Sequence, residues 1–442
     1  MYKKIFSVVI AAFVSLCGNS LQAQIITTLA GDGTRGYGGD GNLAAYCRMN
    51  AAVAIAVDRV GNIYLCDQAN NRVRKIDAFG IIRTFAGTGV PGMSGDGGLA
   101  TKARVSEPGG IAVDFTGNVY ISDTRNNRIR KVDTGGIITT IAGNGVAGFS
   151  GDDSVAVRGQ MSSPGGLKID KDGNIYFADT YNNRIRRVDA VTGVMTTIAG
   201  KGPGSYTGDN GPATAATMNL PQDVAVDKIG NVFFTDRVSQ CVRMIDTSGI
   251  IRRLAGNGLP GFGGDEGIPF KSQLNEPFGI AMDSKGNMYV SDMRNNRVRK
   301  VDTLGVISTI AGMGIQASTG DGGLAGDATL SFPSGIAVDT AGTLFVGQSD
   351  GHIRYIYVSE TGTDSIGIFP NPCREVTNVV LSSKYEELAT IQIINTSGRI
   401  VKTIVGPTNR VISVKLDAAG FYVIYAVTPH NRFKGKVSAV QY

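Results

Sequence analysis

The stretch Gly110-Ile-Ala-Val-Asp-Phe-Thr-Gly-Asn-Val-Tyr-Ile-Ser-Asp-Thr-Arg-Asn-Asn-Arg-Ile-Arg-Lys-Val132 decides the fold of this chain. Short segments rich in β-branched residues alternate here with Asp, Gly and Asn, and Gly136-Ile-Ile-Thr-Thr-Ile141 adds one more. Segments of this kind predict β-strands. The Asp-x-x-Gly-Asn sequence between the first two favours a tight turn, because Gly tolerates positive φ. With no helical periodicity, the stretch predicts a four-stranded antiparallel meander.

The same pattern occurs six times between Ile25 and about Val358. The Gly of a closing Ala-Gly pair marks the copies at Gly31, Gly87, Gly143, Gly200, Gly256 and Gly312, in steps of 56 residues with one step of 57. A fixed period of this length indicates one supersecondary unit that packs against its own copies. Six meanders arranged radially predict an all-β fold, a six-bladed β-propeller. The last copy lacks a fourth strand, and Ile25-Ile-Thr-Thr-Leu29 is predicted to supply it and close the ring.

The repeated segment from Asp123 to Lys131 resembles the NHL-repeat family of six-bladed propellers. Related segments run from Asp67 to Lys75, Asp179 to Arg187 and Asp292 to Lys300. The fourth copy departs from the pattern with Ser-Gln-Cys before Val242, and the sixth has Gln348 in place of the Asp.

Four segments are expected along the chain. Residues 1–23 read as a signal peptide, because two lysines precede a twelve-residue apolar run and Leu-Gln-Ala offers a cleavage site. Residues 24–358 form the propeller, residues 359–365 a polar linker, and residues 366–442 a small β-sandwich. No transmembrane segment is expected in the mature chain.

The last segment resembles the type A C-terminal sorting domain of the type IX secretion system of Bacteroidota. The resemblance rests on Pro-Asn-Pro372, on the Ser-Gly-Arg399 turn and on Gly420-Phe-Tyr. It implies that the secretion machinery recognises residues 366–442 and exports the protein across the outer membrane. The product is then either released or attached to the cell surface.

Two series of charged residues recur with the repeat and are interpreted as structural pairs, because a ligand seldom has six-fold symmetry. The series are Asp67, Asp123, Asp179, Asp236 and Asp292, and Arg74, Arg130, Arg186, Arg243, Arg299 and Arg354. The alternative for these residues is a ring that binds ions.

Calcium is possible as a cofactor, but no metal ligand set is predicted. The Gly-Asp-Gly loops carry one carboxylate each (Asp40, Asp96, Asp152, Asp209, Asp265 and Asp321), whereas calcium takes six to eight oxygens. Catalysis by histidine has little support, because the chain has two histidines, His352 and His430, and no Gly-x-Ser-x-Gly motif. No catalytic residue is therefore predicted.

The positions that break the repeat are the candidate site. Lys168 replaces an Ala found in the other five copies, Asp223 is the one carboxylate just before an innermost strand, and Gln222 and Phe278 vary beside it. These four are predicted to form the lip of a ligand pocket at the central channel, although Lys168 and Asp223 pairing with each other is the alternative. Arg125, Tyr181, Arg237 and Arg294 lie in variable loops and are candidate contacts.

The most favoured function is an exported, non-enzymatic binding module that presents one propeller face to a protein or glycan at the cell surface. The alternative is a calcium-dependent hydrolase or lactonase that uses the channel. A net charge of +6 without a basic tract argues against a nucleic-acid partner. Cys47, Cys66, Cys241 and Cys373 do not follow the repeat and read as free core residues, with a Cys47–Cys66 bridge left open.

Overall fold

A computed structural model describes residues 24–357 and, in the C-terminal part, residues 365–369, 376–382, 388–395, 399–408, 411–416, 420–427 and 432–439. The predicted signal peptide, Cys373 and His430 lie outside the described residues. So does the predicted linker, apart from Ser365, which begins a strand. Within the described ranges, no helix has both the length and the apolar character needed to cross a membrane.

Six antiparallel sheets, five with four strands and one with five, follow one another in the chain, and each is one blade. From the channel outward, blade 1 contains β2 (Ala52–Val57), β3 (Ile63–Asp67), β4 (Arg72–Ile76) and β5 (Ile82–Ala86), and blade 2 contains β6 (Gly110–Val113), β7 (Val119–Asp123), β8 (Arg128–Val132) and β9 (Ile138–Ala142). Blade 3 contains β11 (Pro164–Ile169), β12 (Ile175–Asp179), β13 (Arg184–Val188) and β14 (Val194–Ala199), with the short β10 (Ser154–Val155) at its outer edge.

Blades 4 to 6 repeat this order. Blade 4 contains β15 (Pro221–Val226), β16 (Val232–Asp236), β17 (Cys241–Ile245) and β18 (Ile251–Ala255), and blade 5 contains β19 (Pro277–Met282), β20 (Met288–Asp292), β21 (Arg297–Val301) and β22 (Ile307–Ala311). Blade 6 contains β23 (Pro333–Val338), β24 (Leu344–Gln348), β25 (Ile353–Tyr357) and the N-terminal β1 (Ile25–Ala30). Because β1 pairs antiparallel with β25, the prediction that the N-terminal strand closes the ring is confirmed.

The helical elements of the described residues are three-residue 3-10 turns. They lie at Ala44–Tyr46, Gln68–Asn70, Ala100–Lys102, Thr124–Asn126, Ala156–Arg158, Thr180–Asn182, Ala213–Ala215, Pro269–Lys271, Met293–Asn295 and Ala325–Asp327. One set connects the second and third strands of a blade, and the other lies in the long loops between blades. The fold is therefore all-β, as predicted.

The Asn-Asn pair of the repeat positions the turn between the second and third strands and joins neighbouring blades. In blade 2, Asn126 donates to the Asp123 carboxylate, and Asn127 adopts a left-handed conformation with φ of 50°. Asn127 then accepts a hydrogen bond from Ser163 N of blade 3 at 2.9 Å. In blade 4, Gln240 stands where the second Asn is found in blade 2. It adopts the same left-handed conformation, with φ of 55°, and accepts a hydrogen bond from Glu276 N of blade 5. The repeated motif is thus a device for turn formation and blade docking.

The six innermost strands pack side by side around the channel, each against the innermost strands of both neighbouring blades. This contact is so close that a Cβ at Gly110 would lie 2.3 Å from Gly165 O. A Cβ at Gly279 would lie 2.3 Å from Ser334 O. Gly is therefore required at these positions, which explains why this part of the repeat carries so little side-chain volume.

The C-terminal part forms two antiparallel sheets. The first contains β26 (Ser365–Phe369), β27 (Val376–Ser382) and β30 (Val411–Lys415), and the second contains β28 (Leu388–Asn395), β29 (Ile400–Pro407), β31 (Gly420–Val427) and β32 (Arg432–Ala439). Both contribute to one apolar core, with Leu381 and Val414 from the first sheet and Ile391 and Ile424 from the second. Two sheets around a shared core make the predicted β-sandwich.

Candidate functional site

Six fully buried arginines hold the loops between blades against the sheets. They are Arg74, Arg130, Arg186, Arg243, Arg299 and Arg354. Arg130, for example, donates to Asp96 Oδ1 at 2.7 Å and to Arg104 O at 2.7 Å, and its guanidinium lies 3.5 Å from Asp123 Oδ2. Burial raises the pKa of Asp123 to about 6, although hydrogen bonds from Asn126 and Ser106 and the charge of Arg130 favour its ionised form. These contacts favour the structural interpretation of the two series over an ion-binding ring.

The carboxylates of the Gly-Asp-Gly loops are the second partners of the same arginines. Asp40 Oδ1 lies 2.6 Å from Arg74 Nη2, and Asp40 Oδ2 accepts from the backbone and hydroxyl of Thr84. Despite partial burial, the Thr84 hydrogen bonds and the Arg74 charge lower the pKa of Asp40. Because protein donors engage both oxygens, the loop is not arranged to bind calcium. Throughout the described part of the chain, no group of three or more His, Cys, Asp or Glu side chains could hold a metal ion.

His352 is not assembled into a nucleophilic triad. Its Nδ1 lies 3.1 Å from Asp350 Oδ2, and the same Oδ2 accepts a hydrogen bond from Ser318 Oγ. In a Ser-His-Asp triad the imidazole stands between the hydroxyl and the carboxylate. Here the carboxylate stands between the other two, so His352 is not placed to activate Ser318.

The channel contains the two charged residues that the sequence singled out. Lys168 on β11 and Asp223 on β15 both line its central cavity, whose volume is about 100 Å³. The rest of the described lining is Gln222 and apolar residues, among them Ala56, Ala112 and Ala337. The cavity is thus a narrow space whose lining side chains are mostly apolar, with one amine, one carboxyl group and one amide among them, and polar atoms make up most of its accessible surface.

Asp223 is fixed by backbone groups of two blades. Its Oδ1 accepts from Val224 N at 2.8 Å, and its Oδ2 accepts from Ile280 N of blade 5 at 3.0 Å. On the other side, a Cβ at Gly166 would lie 1.8 Å from Asp223 Oδ1. Burial raises the pKa of Asp223 to about 7, against the backbone donors and the charge of Lys168.

Lys168 has no such partners. Among the described residues, no hydrogen bond or ion pair within 4.0 Å engages its ammonium group, and the side chain is accessible to the channel. Because protein surrounds the channel, desolvation lowers the pKa of Lys168, opposed by the charge of Asp223. The two groups therefore influence each other through space without forming the direct pair that was the alternative prediction.

The predicted loop contacts lie at the end of the ring where the innermost strands begin, which we call the front face. Gln222 and Phe278 occupy the same end, at the starts of β15 and β19. The Arg237 guanidinium lies 5.8 Å from the Phe278 ring centre, which links this loop to the channel lip. Tyr181 is 65% exposed. The structure thus brings the loop residues and the lip residues onto one surface.

Two glutamates of the front face were missed in the sequence. Glu276 pairs with Arg237 at 2.6 Å and with Arg294 at 2.7 Å, and Glu107 pairs with Arg125 at 2.9 Å. Despite partial burial, the bonds from Arg237 and Arg294 lower the pKa of Glu276. Both glutamates occupy the same position of the repeat, where the other blades carry Ala, Ser, Leu or Phe. Aligning the six copies at this position would therefore have revealed them.

Three buried cysteines, Cys47, Cys66 and Cys241, are free thiols. The open possibility of a Cys47–Cys66 bridge is therefore not realised. Cys66 Sγ donates to Gly110 O of blade 2 at 3.6 Å, and burial raises the pKa of Cys47 to about 11. These thiols pack in the core and are poor nucleophiles.

Comparisons with known proteins agree with the fold. Residues 89–150 match the Teneurin NHL domain model, and residues 367–437 match the Secretion system C-terminal sorting domain model. The NHL repeat-containing protein 2 of Bos taurus is 26% identical over 349 residues, which cover 72% of this chain and 47% of the relative. The chain thus spans about half the length of that relative.

Two solved structures show the same architecture. A structural genomics protein of unknown function from Bacteroides thetaiotaomicron superposes with a TM-score of 0.57 at 21% identity, covering 76% of each chain. An auxiliary nutrient binding protein from the same organism superposes with a TM-score of 0.55 at 16% identity, covering 77% of each chain. At these identities the similarity establishes the fold alone.

Proposed function

Since the chain is an NHL-type six-bladed propeller followed by a C-terminal secretion sorting domain, we propose that it is an exported binding module whose front face engages a protein or glycan. The sorting domain supports type IX export to the cell surface or the extracellular space. The auxiliary nutrient binding protein with the same fold fits a binding role at such a location.

The observation that carries the proposal is the concentration of non-repeating side chains on the front face of blades 2 to 5. Arg125, Tyr181, Arg237 and Arg294 lie in turns at the same end of the ring as the channel lip, where the scaffold otherwise repeats. Exposed aromatic and arginine side chains are typical anchors of binding sites. The partly buried Glu276 pairs with both Arg237 and Arg294, so this part of the surface is preorganised for a partner, whereas Arg125 and Glu107 form an exposed pair.

The alternative of a calcium-dependent hydrolase has weaker support. Asp223 is the single carboxylate in the described lining of the channel, and backbone donors already engage both its oxygens. Calcium takes six to eight oxygens, and the described side chains around Asp223 add one more oxygen ligand, the amide of Gln222. The residues present therefore do not form a catalytic calcium site.

The test compares two surfaces of the exported protein on glycan arrays and on cells of the producing organism. One variant combines Arg125→Ala, Tyr181→Ala and Arg294→Ala on the front face. The matched control combines Val60→Ser and Ile229→Ser, which lie in exposed turns at the opposite end of the ring. We expect the first variant to lose binding and the control to keep it. Equal binding by both, or turnover of lactones or esters by the wild type in calcium, would overturn the proposal.

Export is tested separately. Removal of residues 366–442 is expected to retain the propeller inside the outer membrane, whereas the full chain reaches the surface or the medium. Fractionation followed by immunoblotting measures the distribution. Release of the truncated chain into the medium would contradict the role of this segment.

A further inference from the structure

Lys168 is a cation to which none of the described residues bonds, in a narrow channel that Asp223 and Gln222 also line. The other five blades place Ala56, Ala112, Ala225, Ala281 and Ala337 at this position. Lys168 therefore adds a charge where the scaffold needs none. Because its side chain remains exposed within the channel, the ammonium group stays available to a ligand.

Asp223 does not serve as that partner. Its two oxygens are held by Val224 N and Ile280 N, and among the described residues no ion pair within 4.0 Å joins it to the lysine nitrogen. Its fit against Gly166 also fixes the side chain on the wall of blade 3. Asp223 thus moderates the charge of the channel while leaving Lys168 free to pair with another anion.

The size and charge of the cavity define what it accepts. A volume of about 100 Å³ holds several water-sized groups, since one water needs roughly 10–15 Å³ in the same measure. Lys168 and Asp223 are the charged groups in its described lining, so a singly charged anion matches it better than a doubly charged one. Gln222 adds an amide that can donate a second hydrogen bond.

We propose that the channel binds the carboxylate of a small organic acid, such as a sugar acid, through the Lys168 ammonium group. This inference rests on the proposed function, because it places a ligand at the lip of the same front face. In the enclosed channel the attraction between ammonium and carboxylate is stronger than in bulk water. Phe278 at the lip offers an apolar surface to the remainder of the ligand.

The protonation state of Asp223 gives the site a pH dependence. Because burial raises the pKa of Asp223 to about 7, its carboxyl is largely neutral at pH 6 and largely charged at pH 8. A charged Asp223 repels the incoming carboxylate. Binding is therefore expected to weaken as the pH rises from 6 to 8.

The experiment is a calorimetric titration of the exported protein with glucuronate, acetate, sulfate and phosphate, with glucose as the neutral control. At pH 6 we expect glucuronate and acetate to bind and glucose not to bind. Lys168→Ala should weaken binding at least roughly 10-fold, which corresponds to about 1.4 kcal/mol. Lys171→Ala is the matched control, because Lys171 is exposed and paired with Asp172. Asp223→Asn should retain binding and abolish its decline between pH 6 and 8.

Three results would overturn the inference. They are no binding of either carboxylate, equal binding by wild type and Lys168→Ala, and tighter binding of sulfate or phosphate than of carboxylates. None of these three results contradicts the proposed function, provided that the front-face variant still loses binding on glycan arrays or on cells. Conversely, a front-face variant that keeps its partner while Lys168→Ala loses glucuronate would refute the proposed face and keep the channel site.

Discussion

Replacement of Arg130 by Ala tests whether the repeated charged residues are structural. The side chain is 0% exposed, and its loss removes donors to Asp96 Oδ1, Arg104 O and Ser94 O. It also removes the cation 3.5 Å from Asp123, whose side chain is equally buried. Summing the full strength of each lost hydrogen bond would overestimate the loss in the free energy of unfolding, since water replaces some of the lost donors. Breaking a buried ion pair from one side costs about 3–5 kcal/mol, because a charge is left without compensation.

The assay is equilibrium unfolding in urea, followed by circular dichroism, for the wild type and a set of matched variants. Arg83→Ala is the control, because Arg83 pairs with Asp77 at 2.8 Å on the surface and is 60% exposed. Exposed pairs of this kind contribute roughly 0–1 kcal/mol. We therefore expect a large loss for Arg130→Ala and a small one for Arg83→Ala.

Two further variants separate the effect of the uncompensated Asp123 charge from the effect of the lost side-chain volume. Arg130→Met keeps most of the volume, and combining it with Asp123→Asn removes the uncompensated carboxylate. If charge is the cause, the double variant should be more stable than Arg130→Met alone. A loss of less than about 1 kcal/mol in Arg130→Ala, with an unchanged spectrum, would refute the structural interpretation.

Three further predictions concern the closure and the channel. Ile26→Ala in the closing strand should reduce the free energy of unfolding by about 2–5 kcal/mol, because Ile26 is fully buried between blades, whereas Thr28→Ala on the same strand should have little effect in the same urea assay. Gly166→Ala should lower the thermal midpoint, because the new Cβ would lie 1.8 Å from Asp223 Oδ1, whereas Gly326→Ala should be tolerated in open space. The free energy of unfolding of the wild type, relative to that of Asp223→Asn, should fall as the pH rises from about 4 to 7. The reason is that the pKa of Asp223 is about 7 in the folded state and 3.8 ordinarily, so the stabilising contribution of the protonated carboxyl is lost between these values. A difference between the urea midpoints of the two proteins that stays constant over this pH range would contradict the prediction.

The repeat predicted the architecture because it records local strand and turn chemistry in every copy. The meander in residues 110–141 was readable from β-branched segments and an Asp-x-x-Gly-Asn turn, and closure by residues 25–29 followed from a missing fourth strand. The strands and their order agree with that interpretation. Side-chain partners across loops were less accessible, because they depend on the path of the loop in space.

The Asp40–Arg74 contact illustrates this limit. Both residues were recognised as members of periodic series, yet the separation of 34 residues between them did not reveal that they touch. The stacking of Arg72 on Tyr37, at 3.7 Å from the ring centre, was missed for the same reason. A loop that returns to β4, the third strand of the following blade, brings these residues together, and no local pattern encodes that return.

Three of the residues that depart from the repeat have side chains whose polar atoms form hydrogen bonds within the propeller. Gln348 stands where other blades have Asp and still accepts a bond from Ser331 N. Gln240 replaces Asn and accepts from Glu276 N, as Asn does elsewhere. Asp223 is accommodated by Gly166 and by Ile280 N.

Lys168 is the exception in this series. It breaks the pattern of small channel residues, and none of the described residues bonds to its ammonium group. A substitution whose polar atoms are bonded within the scaffold is explained by folding, whereas a charge in the channel that none of the described residues bonds is not. A ligand is therefore expected at Lys168 rather than at Asp223, although the sequence singled out both residues.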